Sequence, residues 1–144
     1  MKIKQTKDIQ SKTYLDAVQI RNSVFVKEQG VPFTLEIDDN ENFCIHFILY
    51  TSLNVAVATL RLLPQNNGQV TLQRMAVLKE YRKLGYAKLL IQEALKFATS
   101  NGYSNIILHA QLPARDFYKK IGFDEFGQVF EEAGIKHISM KKEL

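Results

Sequence analysis

A chain of 144 residues has the size of one domain, and it can bury roughly 68–70% of its unfolded surface without disulfide or metal staples. With 46% hydrophobic and 24% charged residues it falls outside the disordered and fibrous classes. The net charge of +4 is dispersed: no stretch reaches the run of about five or six like charges that marks a nucleic-acid tail. Helix-turn-helix, zinc-finger and RNA-binding signatures are missing as well, so no nucleic-acid partner is expected. The longest apolar run, Phe43 to Tyr50, is interrupted by His46 and falls far short of the roughly 20 residues that span a bilayer. Basic residues at the N-terminus are followed by no apolar core, so a secretory leader is not expected. The single cysteine, Cys44, cannot form an internal disulfide and points to a reducing compartment. The expectation is a soluble, cytoplasmic domain without a membrane partner.

In chain order, Ile3 to Thr6 alternates weakly and reads as a first strand. Apolar residues then recur at helical spacing from Ile9 to Val26, and Gly30-Val31-Pro32 ends that helix. The acidic stretch with Glu36, Asp38, Asp39 and Glu41 reads as a polar loop. Three strands follow, Cys44 to Tyr50, Val55 to Leu63 and Gln69 to Val77, joined by turns suited to hairpins, so an antiparallel meander is expected. Within the third, Val70 and Leu72 have one parity while Met75 and Val77 have the other. A β-bulge between them, or burial on both faces, accounts for the switch. Ala87, Leu90, Ile91, Ala94, Leu95 and Ala98 form one helical stripe that ends at Asn101-Gly102. Asn105 to Ala110 reads as a strand, Pro113 to Ile121 as a short helix closed by Gly122, and Phe123 to Phe130 and Lys136 to Met140 as closing strands. This order predicts a single α/β domain over residues 1–144, with a mixed, mostly antiparallel central sheet flanked by helices.

The segment Arg82-Lys83-Leu84-Gly85-Tyr86-Ala87 joins a strand to the longest helix. Helix starts carry unpaired N–H groups and the positive end of the dipole, a ready site for phosphate. Gly85 permits close approach, and Arg82 with Lys83 adds charge; the spacing of a Walker loop is absent. A tight turn at a helix start fits the same residues. Further on, Ala114, Phe117, Tyr118 and Ile121 form an i, i+3, i+4, i+7 stripe, so Tyr118 fits a core position as well as a chemical one.

Arg82 to Ala87 resembles the Gln/Arg-x-x-Gly-x-Gly/Ala motif of the GNAT superfamily of N-acyltransferases. Gln111 to Phe123 resembles that family's Asn-x-x-Ala-x-x-Phe/Leu-Tyr-x-x-x-Gly-Phe stretch, with Gln111 standing where much of the superfamily has Asn. The likeness spans about Leu60 to Phe123. Arg21 to Pro32, Glu36 to Asp38 and Glu132 to Met140 add a likeness to a small, single-domain bacterial branch.

The resemblance implies acetyl-CoA as acyl donor, with transfer by direct attack of a primary amine, on a small molecule or peptide, in a ternary complex. Met75, Ala76 and Val77 would offer strand backbone to the pantetheine arm, and Arg82, Lys83, Leu84, Gly85, Tyr86 and Ala87 would hold the pyrophosphate. Gln111 and Phe117 belong to the same cofactor-binding set, and Tyr118 would protonate the departing thiolate. A tyrosine pKa near 10 and a thiol pKa near 8.5 allow that proton to be shared.

An amine resembling lysine needs about 4.6 kcal/mol to reach its free base at pH 7. Candidate bases are Glu28, Asp38, His109 and His137, of which Glu28 is carried forward as catalytic; a solvated loop fits Glu28 and Asp38 equally, and a structural imidazole fits His109. His46, His109 and His137 lack metal-ligand spacing, so no metal is expected, and Cys44 reads as a buried, inert thiol. Two other readings compete: a non-catalytic acyl-CoA-binding sensor, and acyl transfer of the homoserine-lactone synthase type. The oligomeric state is left open, a homodimer included.

Overall fold

The computed structural model describes all of residues 1–144. Ser11 starts the first helix, α1 (Lys12–Arg21), by accepting a hydrogen bond from the Tyr14 amide at 3.1 Å. Residues upstream, from Ile9, stay outside the helix because the Asp8 carboxylate accepts the Gln10 amide in a local turn. The helix does not stop at Arg21. It continues as a wider π-helical stretch over Asn22–Glu28 and ends where Gly30 takes a φ of +74°.

Seven strands form one sheet: β1 (Lys2–Thr6), β2 (Ile45–Tyr50), β3 (Ala56–Pro64), β4 (Gln69–Val77), β5 (Asn105–Gln111), β6 (Asp124–Glu132) and β7 (Ile135–Glu143). Their spatial order is β1-β2-β3-β4-β5-β7-β6. Every pairing is antiparallel except β4 with β5, whose crossover is the helix α3 (Tyr86–Ser100). The mixed α/β architecture and the meander stand as the residue pattern predicts.

Leu90, Ile91, Ala94 and Ala98 of α3 are buried on one face of the sheet, where Leu60, Leu72, Ile106 and Leu108 await them. Burying Leu90 or Ile91 contributes about 1.5–3 kcal/mol each. The opposite face is covered by α1 and its π-helical extension, through Ala17, Ile20 and Val24 against Ile48 and Ala76. Two short helices complete the frame, α2 (Phe33–Glu36) and α4 (Arg115–Ile121), the latter closed by Gly122 at a φ of +109°. No helix is long and apolar enough to cross a membrane.

The parity switch in β4 is a bulge. Arg61 pairs with Gln73 and Thr59 with Ala76, so two residues of β4 oppose one of β3, and Arg74 takes a φ of +58°. Met75 and Val77 thereby return to the α3-side core with Val70 and Leu72.

The acidic stretch departs from the expected solvated loop. Glu36 and Glu41 are 4% and 5% exposed, in a network with three arginines. Arg21 donates to Glu36 Oε2 at 2.8 Å and to both Glu41 oxygens at 2.8 and 2.9 Å. Arg61 donates to Glu41 and Asp38, each at 2.7 Å, and Arg74 reaches Glu36 and Asp38 at 3.1 and 3.3 Å. The cause is sequence-wide: Arg21 lies on the buried stripe of α1 and Arg61 inside an apolar strand, each 1% exposed, and a buried guanidinium must be met by carboxylates. Burial pushes the Glu41 carboxyl up, but the hydrogen bonds and charge of Arg21 outweigh it and hold it well below its usual range. Asp38 is likewise lowered, with Arg61 prevailing over burial.

Glu41→Gln leaves two buried guanidinium groups short of charge and is expected to cost about 3 kcal/mol in urea unfolding. Because the folded Glu41 pKa lies below its ordinary value of 4.5, its stabilisation is complete above that pH and is lost as pH falls toward the folded value. The stability of the wild type should therefore drop below pH about 4.5 more steeply than that of the variant, measured as urea midpoints across pH.

Candidate active site

The parallel ladder between β4 and β5 covers only Gln69–Leu72 against Asn105–Leu108. Beyond it β4 stays paired with β3 and β5 stays paired with β7, so the sheet splits between them. The extra residue at the Arg74 bulge turns β4 away at the point where the split begins. From Gln73 to Val77 the edge of β4 that faces β5 has no strand partner. Met75, Ala76 and Val77 thus form one wall of a wedge-shaped cleft, and His109 to Gln111 form the other.

The mouth of the cleft leads to the start of α3. After a single helical turn over Lys79–Tyr81, Lys83 adopts a φ of +64° and Gly85 a φ of +84°. A Cβ built at Gly85 would meet nothing within 4 Å, so glycine is demanded by the backbone conformation and open space lies above it. The backbone amides from Lys83 to Lys88 donate to no acceptor in the protein, and Leu89 makes the first helical bond, to the Gly85 carbonyl at 3.2 Å. Consecutive free N–H groups at the positive end of a 15-residue helix form an anion cradle.

Two polar links bind the end of the π-helical stretch to this region. Glu28 accepts from Arg82 Nη2 at 2.7 Å, while Arg82 Nε donates to the Val77 carbonyl at 2.9 Å. Next to it, Gln29 and Gln111 exchange amide hydrogen bonds at 3.0 and 3.3 Å. Glu28 and Gln29 therefore touch both walls of the split, the β4–α3 loop on one side and the end of β5 on the other. The glutamine at 111 finds its partner in Gln29. The Glu28 carboxylate is thus engaged by the Arg82 guanidinium.

Tyr118 lies on α4 with its ring buried, 7% exposed, edge-on to Phe117 at 5.2 Å and to Phe123 at 5.9 Å. It packs on the cluster that holds Leu108 and Ala110 of β5. Its hydroxyl makes no hydrogen bond within the protein, and the one sealed side-chain polar atom without a partner is Asn105 Oδ1. Tyr118 therefore keeps an unsatisfied, accessible phenol tip. Burial raises its pKa above the usual tyrosine value, so the group is protonated at neutral pH.

The remaining sequence candidates separate cleanly. Asp38 is spent on Arg61 and Arg74. His46 is buried and donates from Nε2 to the Glu41 carbonyl at 2.8 Å. Cys44 is fully buried and its thiol is pushed up to about 11 by burial, so it supplies no nucleophile. His109 is half-exposed and His137 buried, both beside Glu132. Sequence reading missed Arg21, Arg61 and Arg74 as partners of the acidic stretch. An arginine inside the apolar run Ala56–Pro64 was the available signal.

A split parallel strand pair that opens onto free amides at a helix start is an architecture suited to an extended ligand that carries an anion. Residues 16–144 match the family described as the acetyltransferase (GNAT) domain. The Bacillus subtilis (strain 168) protein called uncharacterized N-acetyltransferase YjcF is 38% identical over 130 residues, covering 89% of this chain and 91% of its own. Among solved structures, an acyl-CoA N-acyltransferase from Pseudomonas aeruginosa has a TM-score of 0.86 at 27% identity, covering 99% of both chains. Escherichia coli ElaA has a TM-score of 0.88 at 27% identity, covering 99% of this chain and 100% of its own.

The chain belongs to the GNAT acetyltransferase family. It is an acyltransferase that moves an acyl group from acyl-CoA to an amine. The residues present fit such a donor: the amides of Lys83 to Lys88 are free to meet an anion, and the edge of β4 from Gln73 to Val77 is free to meet an extended chain.

Arg82→Ala removes both the clip on Val77 and the partner of Glu28. CoA affinity should fall about tenfold, since a hydrogen bond to a charged group contributes about 1.5–3 kcal/mol. Titration calorimetry with free CoA measures it.

Proposed function

We propose that the chain transfers an acetyl group from acetyl-CoA to a primary amine, on a small molecule or peptide, by direct attack in a ternary complex. The observation that carries this reading is the split between β4 and β5 leading to the unpaired amides at the start of α3. An elongated thioester whose pantetheine arm leads to a pyrophosphate matches that combination of open strand edge and anion cradle. With Cys44 sealed in the core, transfer needs no enzyme-bound acyl group.

The donor supplies an acyl thioester, whose carbonyl carbon the amine nitrogen attacks while the carbon–sulfur bond breaks. In this reading Tyr118 gives its phenolic proton to the departing sulfur. Its raised pKa does not oppose that role, because the same apolar surroundings raise the pKa of the sulfur that receives the proton. Glu28 acts as a positioning residue, holding Arg82 over the loop, and Gln111 holds the end of β5 through Gln29. The amine arrives from the side of the first helix and the β6–β7 hairpin, where carboxylates, among them Glu132, favour a cationic acceptor. The setting proposed is the cytoplasm, where acyl-CoA is made and used.

Gly85→Glu projects a carboxylate into the cradle and should abolish CoA binding while the protein stays folded; undiminished affinity places the donor elsewhere. Tyr118→Phe keeps the ring packing and should lower kcat about 10²–10⁴-fold with CoA affinity unchanged. Thiol release across a panel of amines is the deciding assay. Binding of acetyl-CoA with no release on any amine would assign the chain to acyl-CoA sensing instead.

A further inference from the structure

In the cluster formed by His109, Phe130, Glu132 and His137, which lies against the cleft, the reading above gives a part only to the charge of Glu132. The ladder between β4 and β5 ends at Leu108, so His109 is the first residue of the free wall. Leu108 and Ala110 face the α3-side core, so the alternate positions His109 and Gln111 face the other side of the sheet. Gln111 reaches Gln29 there, which puts His109 on the side where the first helix ends.

The imidazole is oriented. His109 Nδ1 lies 3.4 Å from Glu132 Oε1. A carboxylate only accepts, so Nδ1–H donates and Nε2 carries the lone pair. Nε2 makes no hydrogen bond within the protein, and the side chain is 40% exposed, open to a ligand.

The surrounding groups are fixed. The Phe130 ring stands edge-on to His109 at 5.1 Å and stacks on His137 at 5.8 Å. His137 donates from Nδ1 to the Ile135 carbonyl at 2.7 Å, and its Nε2 is 3.8 Å from Glu132 Oε2. The charged and titratable groups facing the pair are Glu132 from β6, His137 from β7 and, at longer range, Arg74 from the β4 bulge. The other carboxylates near the cleft are engaged: Glu28 on Arg82, Asp38 on Arg61 and Arg74.

We propose that His109 is the general base that takes the proton from the acceptor amine, with Glu132 as the positioning residue that fixes its ring. The assignment rests on the acyl-transfer reading above. As the nitrogen–carbon bond forms, Nε2 accepts the proton released from the attacking nitrogen. The carbon–sulfur bond breaks, and Tyr118 protonates the sulfur. His109 then returns its proton to solvent and Tyr118 regains one, so turnover releases no net proton when the amine enters neutral and one when it enters as the ammonium ion. The hydrogen bond to Glu132 raises the His109 pKa, against the opposing pull of burial. Below that pKa the imidazole is charged and cannot accept, so the rate climbs as pH rises through it.

The test is kcat/KM against pH, from thiol release with the best amine of the panel, for wild type, His109→Gln and Glu132→Gln, with CoA affinity and melting temperature measured in parallel. His109→Gln should lose about 10²-fold or more, lose the acidic limb of the profile and bind CoA as the wild type does. Glu132→Gln should move that limb to lower pH, a shift that a merely structural role would not produce. A His109→Gln enzyme with the wild-type rate and limb overturns the proposal. Should that variant fail to fold, an unmoved limb in Glu132→Gln overturns it. A wild type that binds CoA and releases no thiol on any amine overturns the acyl-transfer reading itself, and the base with it. The two failures are thus told apart by the wild-type profile.

Discussion

The salt-bridged core that joins Arg21, Arg61 and Arg74 to Glu36, Asp38 and Glu41 is the constraint on which the active region depends. Arg74 sits in the bulge of β4, and its guanidinium pins that bulge to the acidic segment. Arg21 ties the same carboxylates to the first helix. The bulge ends the ladder with β5, and the first helix, prolonged by its π-helical turns, delivers Glu28 and Gln29 to the opening. One network therefore holds both the parting of the strands and the element that spans it. Buried ion pairs are weak stabilisers against a hydrophobic alternative, so the network is better understood as fixing geometry than as adding stability.

Strand parting has a physical logic. A backbone edge released from its ladder needs other partners, since a buried unpaired N–H or C=O group is costly. The free edge of β4 and the free amides of Lys83 to Lys88 are such groups, kept accessible and waiting for a ligand. In the proposed reading, recognition of an extended, anionic molecule comes almost entirely from main chain, with side chains such as Arg82 adjusting the affinity. In the proposed reaction, chemistry falls to groups on the β5 side, where a buried tyrosine ring exposes its hydroxyl and an oriented imidazole exposes one nitrogen.

The contrast between these two walls bears on specificity. The β4 wall and the loop after it are fixed by hydrogen bonds and a positive φ. The β5 to β7 wall carries Phe130, Glu132 and the two histidines on or beside an edge hairpin whose outer strand is largely exposed. In the proposed reading, changes there would alter the amine without disturbing the donor site.

The sequence alone determined much of this. Periodicity placed the strands and the long helix, and it marked the parity switch between Leu72 and Met75 that the structure resolves as a bulge rather than as burial on both faces. The turn at Gly85 and the start of the long helix were legible as well, because a glycine before a helix start is a local signal. Only the tertiary structure decided what the acidic stretch does. Its carboxylates meet Arg21, Arg61 and Arg74, residues distant in sequence, and charge pairing across that separation leaves no periodic trace. The same holds for Glu28 on Arg82, Gln29 on Gln111 and Glu132 on His109: each is a contact between elements that pack only once the sheet has formed.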